Sequence, residues 1–516
     1  MLTTLDSILT ALNVHGTAEQ DRQATPLALD WIPQATTEQL TLLFEQIAQL
    51  ASDQQLNESV LTAVLRALTR ANVDERQQPF AALVSPMVRA YQQLPATSPA
   101  RHLFLSRLAQ QGDAESLQAF AELIAVDPPP QPEAIIEAFA PLWQQEKLDY
   151  SQLFPRLLDA LAHPAAATVV LDFTNFLHAK GRVVEHPAKQ RSQQLLELFS
   201  RLIERLEGFE EASAQHGVKD LGDAQQVTES IGLAIALCYA LSLMKESEAM
   251  GRFYRMMDLS HRRLRVEAAT ALSRLQEKAG TETLVELAAE PSVRLTVLAY
   301  AAELGLLDAI DAQHRSQVAR AEAELINQLS EPRFYGHPPT ACELMDSRQL
   351  SWPGFDEAVD CYLFRFTYVL PAGEIANVGI AGPLAHTFAA DLTELAIPDA
   401  YAAFAGWQAE HEEIRELQID PTNMQQSVEV EKLRRRMADE AFADIKPQFI
   451  GVFFGERCLV ASAAWQGASG WIVASGHDHL WVTRGNSTRP IQAELAFSIF
   501  KGQRLLRSFN REFEEA

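Results

Sequence analysis

Two stretches of this chain, "RLRVEAATALSRL" (263–275) and "SVRLTVLAYAAEL" (292–304), superpose with an offset of 29 residues. Arg265 falls on Arg294, Val266 on Leu295, Ala268 on Val297, Ala269 on Leu298 and Leu275 on Leu304. Apolar residues recur at helical spacing in both, with small residues where a neighbouring helix would pack. "TETLVELAAE" (281–290) lies between them and supplies the second helix of a pair. A helix pair of this size cannot bury its apolar face alone, so it requires similar neighbours stacked beside it. The repeat therefore restricts the fold to a mainly α chain built as an α-solenoid of helix-pair repeats. Residues 1 to about 330 share this texture, in segments such as "TEQLTLLFEQIAQLAS", "NESVLTAVLRALTRA", "AESLQAFAELIAV" and "QRSQQLLELFSRLIERLEGF". Short breaks rich in Pro, Asp, Asn or Gly separate them. "VDPPPQPEAI" (126–135) is the clearest break, with Pro132 or a neighbour expected to open the next helix.

The segment "SHRRLRVEAATALSRL" followed by "LVELAAEPSVRLTVLAYAAELG" resembles HEAT repeats of the short bacterial type, similar to those of phycobilisome-lyase-like proteins. In such repeats a pattern x-x-x-V-R-x-x-A-A-x-A-L opens one helix, and its arginine commonly braces neighbouring repeats. Arg265 and Arg294 stand at that position. "HPAAATVVLDFTNFLHAKG" (163–181) is a weaker third copy. The resemblance implies an armadillo-like helical array and a scaffold role in protein binding. It implies no lyase activity, because one fold hosts many functions.

Composition limits the partners. The 516 residues suffice for two or three cores, and 47% hydrophobic with 22% charged residues is the balance of a folded, soluble protein. A formal net charge of −25 argues against nucleic acid, which is held by Lys and Arg, and against anionic membranes. Cys238, Cys342, Cys361 and Cys458 are scattered without a C-x-x-C pair, as expected of reduced thiols in the cytoplasm. The N-terminal residues show no basic, then apolar, leader pattern. "IGLAIALCYALSLM" (231–244) is the most apolar run and is expected to be a buried helix. Asn486-Ser487-Thr488 matches a glycosylation sequon, which would be chance in a cytoplasmic protein.

Beyond about residue 330 the texture changes, so 1–330 is taken as the helical-repeat domain and 331–516 as a smaller α+β domain with an antiparallel sheet. "SEPRFYGHPPTACEL" (330–344) is expected to connect the two. "VDCYLFRFTYVLP" (359–371) alternates, with Tyr362, Phe364, Phe366, Tyr368 and Leu370 on one face. A strand in "IANVGIAG" follows, then a helix around "HTFAADLTEL", with Gly382-Pro383 at its start. The span 447–484 reads as a meander of short strands turning at Gly455, Gly467 and Gly476, and Pro490 opens a last helix through about Phe500.

Possible chemistry is sparse. "HEEIR" (411–415) is one residue from the zinc-protease pattern H-E-x-x-H, but Arg415 replaces the second ligand and would repel the metal. Tyr401, Phe404, Trp407, His411, Ile414 and Leu417 instead form one helical stripe, which places His411 on an apolar face. His477-Asp478-His479 reads as a turn, and Cys361 and Cys458 as packed strand residues that could be sheet neighbours. No metal site, cofactor or catalytic residue is assigned. Two basic clusters break the acidic background: Arg252, Arg255, His261, Arg262, Arg263 and Arg265, and "KLRRRM" (432–437), whose helix offers local acidic partners. The expected function is a non-catalytic interaction scaffold that binds a protein or peptide on the helical surface. Arg252, Arg255, Arg262, Arg263, Arg265, Arg294, Phe334 and Tyr335 are the candidate contacts, the arginines meeting acidic groups. The alternative is a ligand-binding or enzymatic C-terminal domain using Asn377, His386 and Arg365, with His411 nearby. The sequence does not fix the oligomeric state.

Overall fold

The computed structural model describes residues 4–13, 26–70, 81–216, 221–371, 373–409, 411–483 and 490–510. The sequon at Asn486 lies outside them. The chain divides into two compact units, Met1–Thr283 and Leu284–Ala516.

The first unit is helical, and among its described residues the one β feature is a bridge between Asn13 and Leu56. Its main helices are α1 (Thr4–Leu12), α2 (Thr37–Ser52), α3 (Glu58–Arg70), α4 (Ala81–Gln93), α5 (Arg101–Gln111), α6 (Ala114–Val126), α7 (Pro132–Gln144), α8 (Pro164–Ala179), α9 (Ser192–His216), α10 (Leu221–Leu243), α11 (Met250–Met257) and α12 (Arg262–Arg274). Local chemistry sets the ends. Thr36 and Gln39 form a reciprocal capping box at α2, Asp113 caps α6, and Pro132 and Pro164 occupy the first turns of α7 and α8. Packing follows a rule of next-but-one: α2 lies on α4, α3 on α5, α4 on α6, and α5 on α7. A 3-10 helix, Arg156–Ala162, takes the following place against α6, and the rule resumes with α7 on α8, α8 on α10, α9 on α11 and α10 on α12. This is the order of a helix-pair array, in which alternate helices belong to alternate layers. A hydrophobic cluster of described residues runs through it from Leu5 to Leu272. The apolar stretch of α10, Gln225–Leu243, is long and apolar enough to cross a membrane by length and composition, and its Ala234, Leu237, Cys238 and Leu241 are core residues here.

The second unit opens with helices α13 (Pro291–Leu304) and α14 (Gln317–Leu329), so both 29-residue copies are helical, as the periodicity predicts. Then come β1 (Ala341–Leu350), β2 (Val359–Leu370), β3 (Gly373–Ala381), β4 (His386–Thr387), α15 (Ile397–Gln408), β5 (Ile414–Gln418), α16 (Met424–Asp439), β6 (Ala443–Phe453), β7 (Glu456–Trp465), β8 (Ala468–Ala474), β9 (His479–Thr483) and α17 (Ala493–Phe509). The strands form two antiparallel sheets, in the orders β1-β2-β3-β4 and β5-β6-β7-β8-β9. One cluster, including Leu363, Ile380, Tyr401, Phe404, Val460, Val473, Phe497 and Phe500, places α15 and α17 between the inner faces of both sheets. The outer face of the first sheet is covered by α14 through Leu325 and Leu329 against Phe364, Phe366 and Tyr368. The outer face of the second is covered by α16 through Leu433 and Met437 against Leu459, Ala461 and Ile472. Burial on both sides explains why β2 is apolar on both faces.

The two sheets are versions of one plan. Each half runs outer helix, four antiparallel strands, inner helix, with β5 added at an edge. The inner helices carry "AYAAFAG" (400–406) and "AFSIFKG" (496–502), with Ala, an aromatic, Phe and Gly at matching places. Their contact is reciprocal: a Cβ on Gly406 would overlap the Ser498 carbonyl, and one on Gly502 the Ala402 carbonyl, which is the matching position. The geometry has the form of an internal duplication whose copies meet through α15 and α17.

Several local expectations are corrected. α15 ends at Gln408, and His411 is exposed in a turn before β5, so no helical stripe runs from Tyr401 to Leu417. The segment "HTFAADLTEL" is not a helix; His386-Thr387 pairs with β3. The supposed connector 330–344 contains the start of β1. Cys361 and Cys458 lie in different sheets, although both enter the central cluster.

Candidate functional site

The arginines of the row lie at the surface but are engaged by groups of the chain itself. Arg252 donates to Ser200 Oγ (2.6 Å) and the Glu248 carbonyl (2.8 Å), and Arg255 grips the Glu207 carboxylate with two N–H groups (3.1 and 2.7 Å). Arg263 pairs with the buried Glu267 at 2.6 Å, and Arg262 and Arg265 are engaged as well. Arg294 is only 3% exposed; it donates to the carbonyls of Ala288, Ala289 and Ala319 and pairs with Glu322 at 2.6 Å. That ties α13 to α14 and removes Arg294 from the partner-binding candidates. Tyr335 stacks on Tyr368 at 3.9 Å, and Phe334 lies under Arg333. In "KLRRRM", Arg434 and Arg435 share Glu431, while Arg436 holds Glu440.

The alternative residues are dispersed. Asn377 is buried, donating to the carbonyls of Phe388 and Ala390 and accepting from the backbone N–H groups of Val378 and Leu392, which is a loop-fixing role. Arg365 is exposed on β2. His386 stacks on Trp407 at 3.9 Å, and burial, with Arg333 adding, pulls its pKa down to about 4. His411 lines a separate cavity of about 610 Å³ with Trp352, Phe355, Phe454 and Phe509. Among the described residues no three His, Cys, Asp or Glu side chains gather as a metal would require.

The first unit instead contains a cavity of about 750 Å³ between α7, α8, α10 and the loop after α6. Its construction follows from the break "VDPPPQPEAI". Asp127 ends α6, the three prolines 128–130 cannot continue it, and Pro132 starts α7, leaving an apolar wall with few backbone donors. Arg101 holds this corner. Fully buried, it pairs with the Asp127 carboxylate, donates to its carbonyl at 3.2 Å and lies 4.1 Å over the Tyr91 ring, while the Tyr91 hydroxyl donates to the same carbonyl at 2.6 Å. His163 contacts the Ala125 carbonyl at 3.0 Å and fixes the start of α8. Along α8, Ala165, Thr168, Val169 and Asp172 face the cavity at spacings of three, one and three, which is a single helical face. Ile136 and Trp143 enter from α7, and Glu229 and Gly232 from α10. Trp143 is fixed against Phe173 and Phe176, with centroids at 5.5 and 4.7 Å.

The charges in this cavity are unequal. Asp127 is neutralised by Arg101. Asp172 has no cationic partner among the described residues. Its side chain is exposed along the cavity; partial loss of hydration against the neighbouring protein, and then the Glu267 carboxylate, push its pKa up to about 6. Glu229 is held by Gln225 at 3.0 Å and faces the same space. Val126 (57% exposed) and Ile136 (55%) extend the apolar lining outward. The site is an apolar trough lined by a carboxylate with no cation among the described residues. No family model matches the chain, and no curated protein or solved structure matches it. In the sequence the proline run marks a helix break, and the Asp within the apolar "TVVLDFTNFL" is the local sign of a charge on this face.

Proposed function

We propose that the protein is a non-catalytic scaffold whose helical array, of HEAT type, holds a protein or peptide partner in the trough between α7, α8 and α10. The observation that carries this is the trough itself: a cavity within the usual range for ligand sites, with exposed apolar rims and a carboxylate left without a cation. The next-but-one helix order and the Arg294 brace favour the HEAT-like assignment. The four free thiols accord with a cytoplasmic location. The contact surface shifts from the arginine row to the trough, because those arginines already have partners in their own units. Quantitative capture from the source cell's lysate, with the full chain beside its Ile136→Arg variant, tests the reading. A stoichiometric partner lost by the variant is expected; a partner retained equally by both would move the binding surface elsewhere.

The aromatic cavity around Trp352 and His411 favours a second reading, an apolar small ligand bound by the second unit. Quenching of tryptophan fluorescence by an apolar dye that is reduced in Trp352→Phe is the expected sign, since the chain's other tryptophans remain; equal quenching in both would count against it.

A further inference from the structure

Resting on the trough as the binding element, we infer that its occupant is a peptide segment that inserts one basic side chain, flanked by apolar residues, so that its cation meets Asp172. Three features determine the occupant. The walls are apolar (Val126, Pro128, Ile136, Trp143, Val169), so the inserted group needs an aliphatic stem. Asp172 lines the trough without a cation among the described residues, while Glu229 is already held by Gln225, so the end of that stem must be positive and donate hydrogen bonds to Asp172. The exposed Val126 and Ile136 continue the apolar surface past the cavity mouth, so the occupant extends beyond one side chain. A peptide backbone along the proline wall, which has no N–H donors of its own, presents such flanking residues. Arginine and lysine both have this form, with a planar fork or a point charge at the tip of an apolar stem.

The test uses the full chain and two fluorescent, end-blocked peptides, identical except that one carries arginine between leucines and the other its neutral isostere citrulline. At 150 mM salt, fluorescence anisotropy is expected to show the arginine peptide binding at least tenfold tighter. Asp172→Asn should erase that preference while leaving citrulline binding unchanged. Non-specific attraction cannot mimic this, because the substitution changes a net charge of −25 by one. Gly232 lines the cavity with only the Thr168 methyl near its Cβ position, at 3.9 Å, so Gly232→Phe should fill the space and abolish both affinities. Ile136→Ser, on the exposed rim, should weaken both several-fold and serves if Gly232→Phe does not fold. Equal affinity of the two peptides, or a preference that survives Asp172→Asn, overturns the inference while leaving an apolar docking trough. Binding of neither peptide also overturns it, and the capture experiment with Ile136→Arg then decides separately whether the trough binds a partner at all.

Discussion

Replacing Asp172 by asparagine keeps the side chain's size and removes the charge that the trough holds at a cost. Its pKa rises from 3.8 to about 6, because burial and Glu267 both disfavour the anion. For a group shut away from water, a rise of that size corresponds to about 3 kcal/mol. Asp172 is open to water on the cavity side, and screening reduces this to about 1 kcal/mol. The sign follows from linkage: the folded state binds this proton more tightly, so the wild type is relatively more stable below pH 3.8 and loses that stability as pH rises through 6. Asp172→Asn should therefore unfold at a temperature about 2 °C higher than the wild type at pH 7.5. The gain should shrink towards zero by pH 4, where the wild-type carboxyl is protonated in the folded state. Differential scanning fluorimetry on both proteins across this range measures it, and other titrating groups cancel in the difference. If the variant is no more stable at pH 7.5, or its effect does not change with pH, Asp172 is already satisfied by the fold and the trough has no free charge to offer.

Asp127→Ala should cost about 2–3 kcal/mol in urea unfolding of the first unit, because the buried Arg101 loses a carboxylate partner that is itself half exposed; Asp127→Ala combined with Arg101→Met should recover much of it. His186 is pulled down to about 4 by burial first, then by His178 and Lys189, and its Nδ1 accepts from the Ala188 N–H. Its contribution of about 3 kcal/mol should be present above pH 6.5 and disappear as pH falls to 4, with the slope reduced in His186→Gln. Gly502→Ala should destabilise the second unit by more than about 3 kcal/mol, since the added methyl meets the Ala402 carbonyl, whereas Gly232→Ala in the roomy α10 position should stabilise by about 0.5–1 kcal/mol. Circular dichroism melts of both variants distinguish the two cases.

Helical periodicity identified the array, and alternation identified β2 and the β6–β9 meander, since burial of each face leaves a local trace in the sequence. What escaped depends on distant partners. "EHEEIRELQ" keeps helical spacing, but Ile414 to Gln418 pair with Phe449 to Phe453, and that pairing overrides propensity. β1 is mostly exposed, so it has no alternation to show. The duplication in the second unit survives mainly in the two Ala-aromatic-x-x-Phe-x-Gly helices, too little to stand out along the chain. The trough draws on residues from 126 to 232, and only folding brings the proline loop, Trp143, Asp172 and Gly232 together. The arginines were visible in sequence, but their acidic partners Glu207 and Glu267 become apparent only in three dimensions.

Site-directed photo-crosslinking asks whether the trough holds a partner. A benzophenone amino acid replaces Ile136 at the rim in one full-length protein and the fully exposed Val184 in another, and both are irradiated in the source cell. One dominant covalent adduct from position 136, absent from position 184, is the predicted result. No adduct at position 136 above that at position 184 would contradict the account.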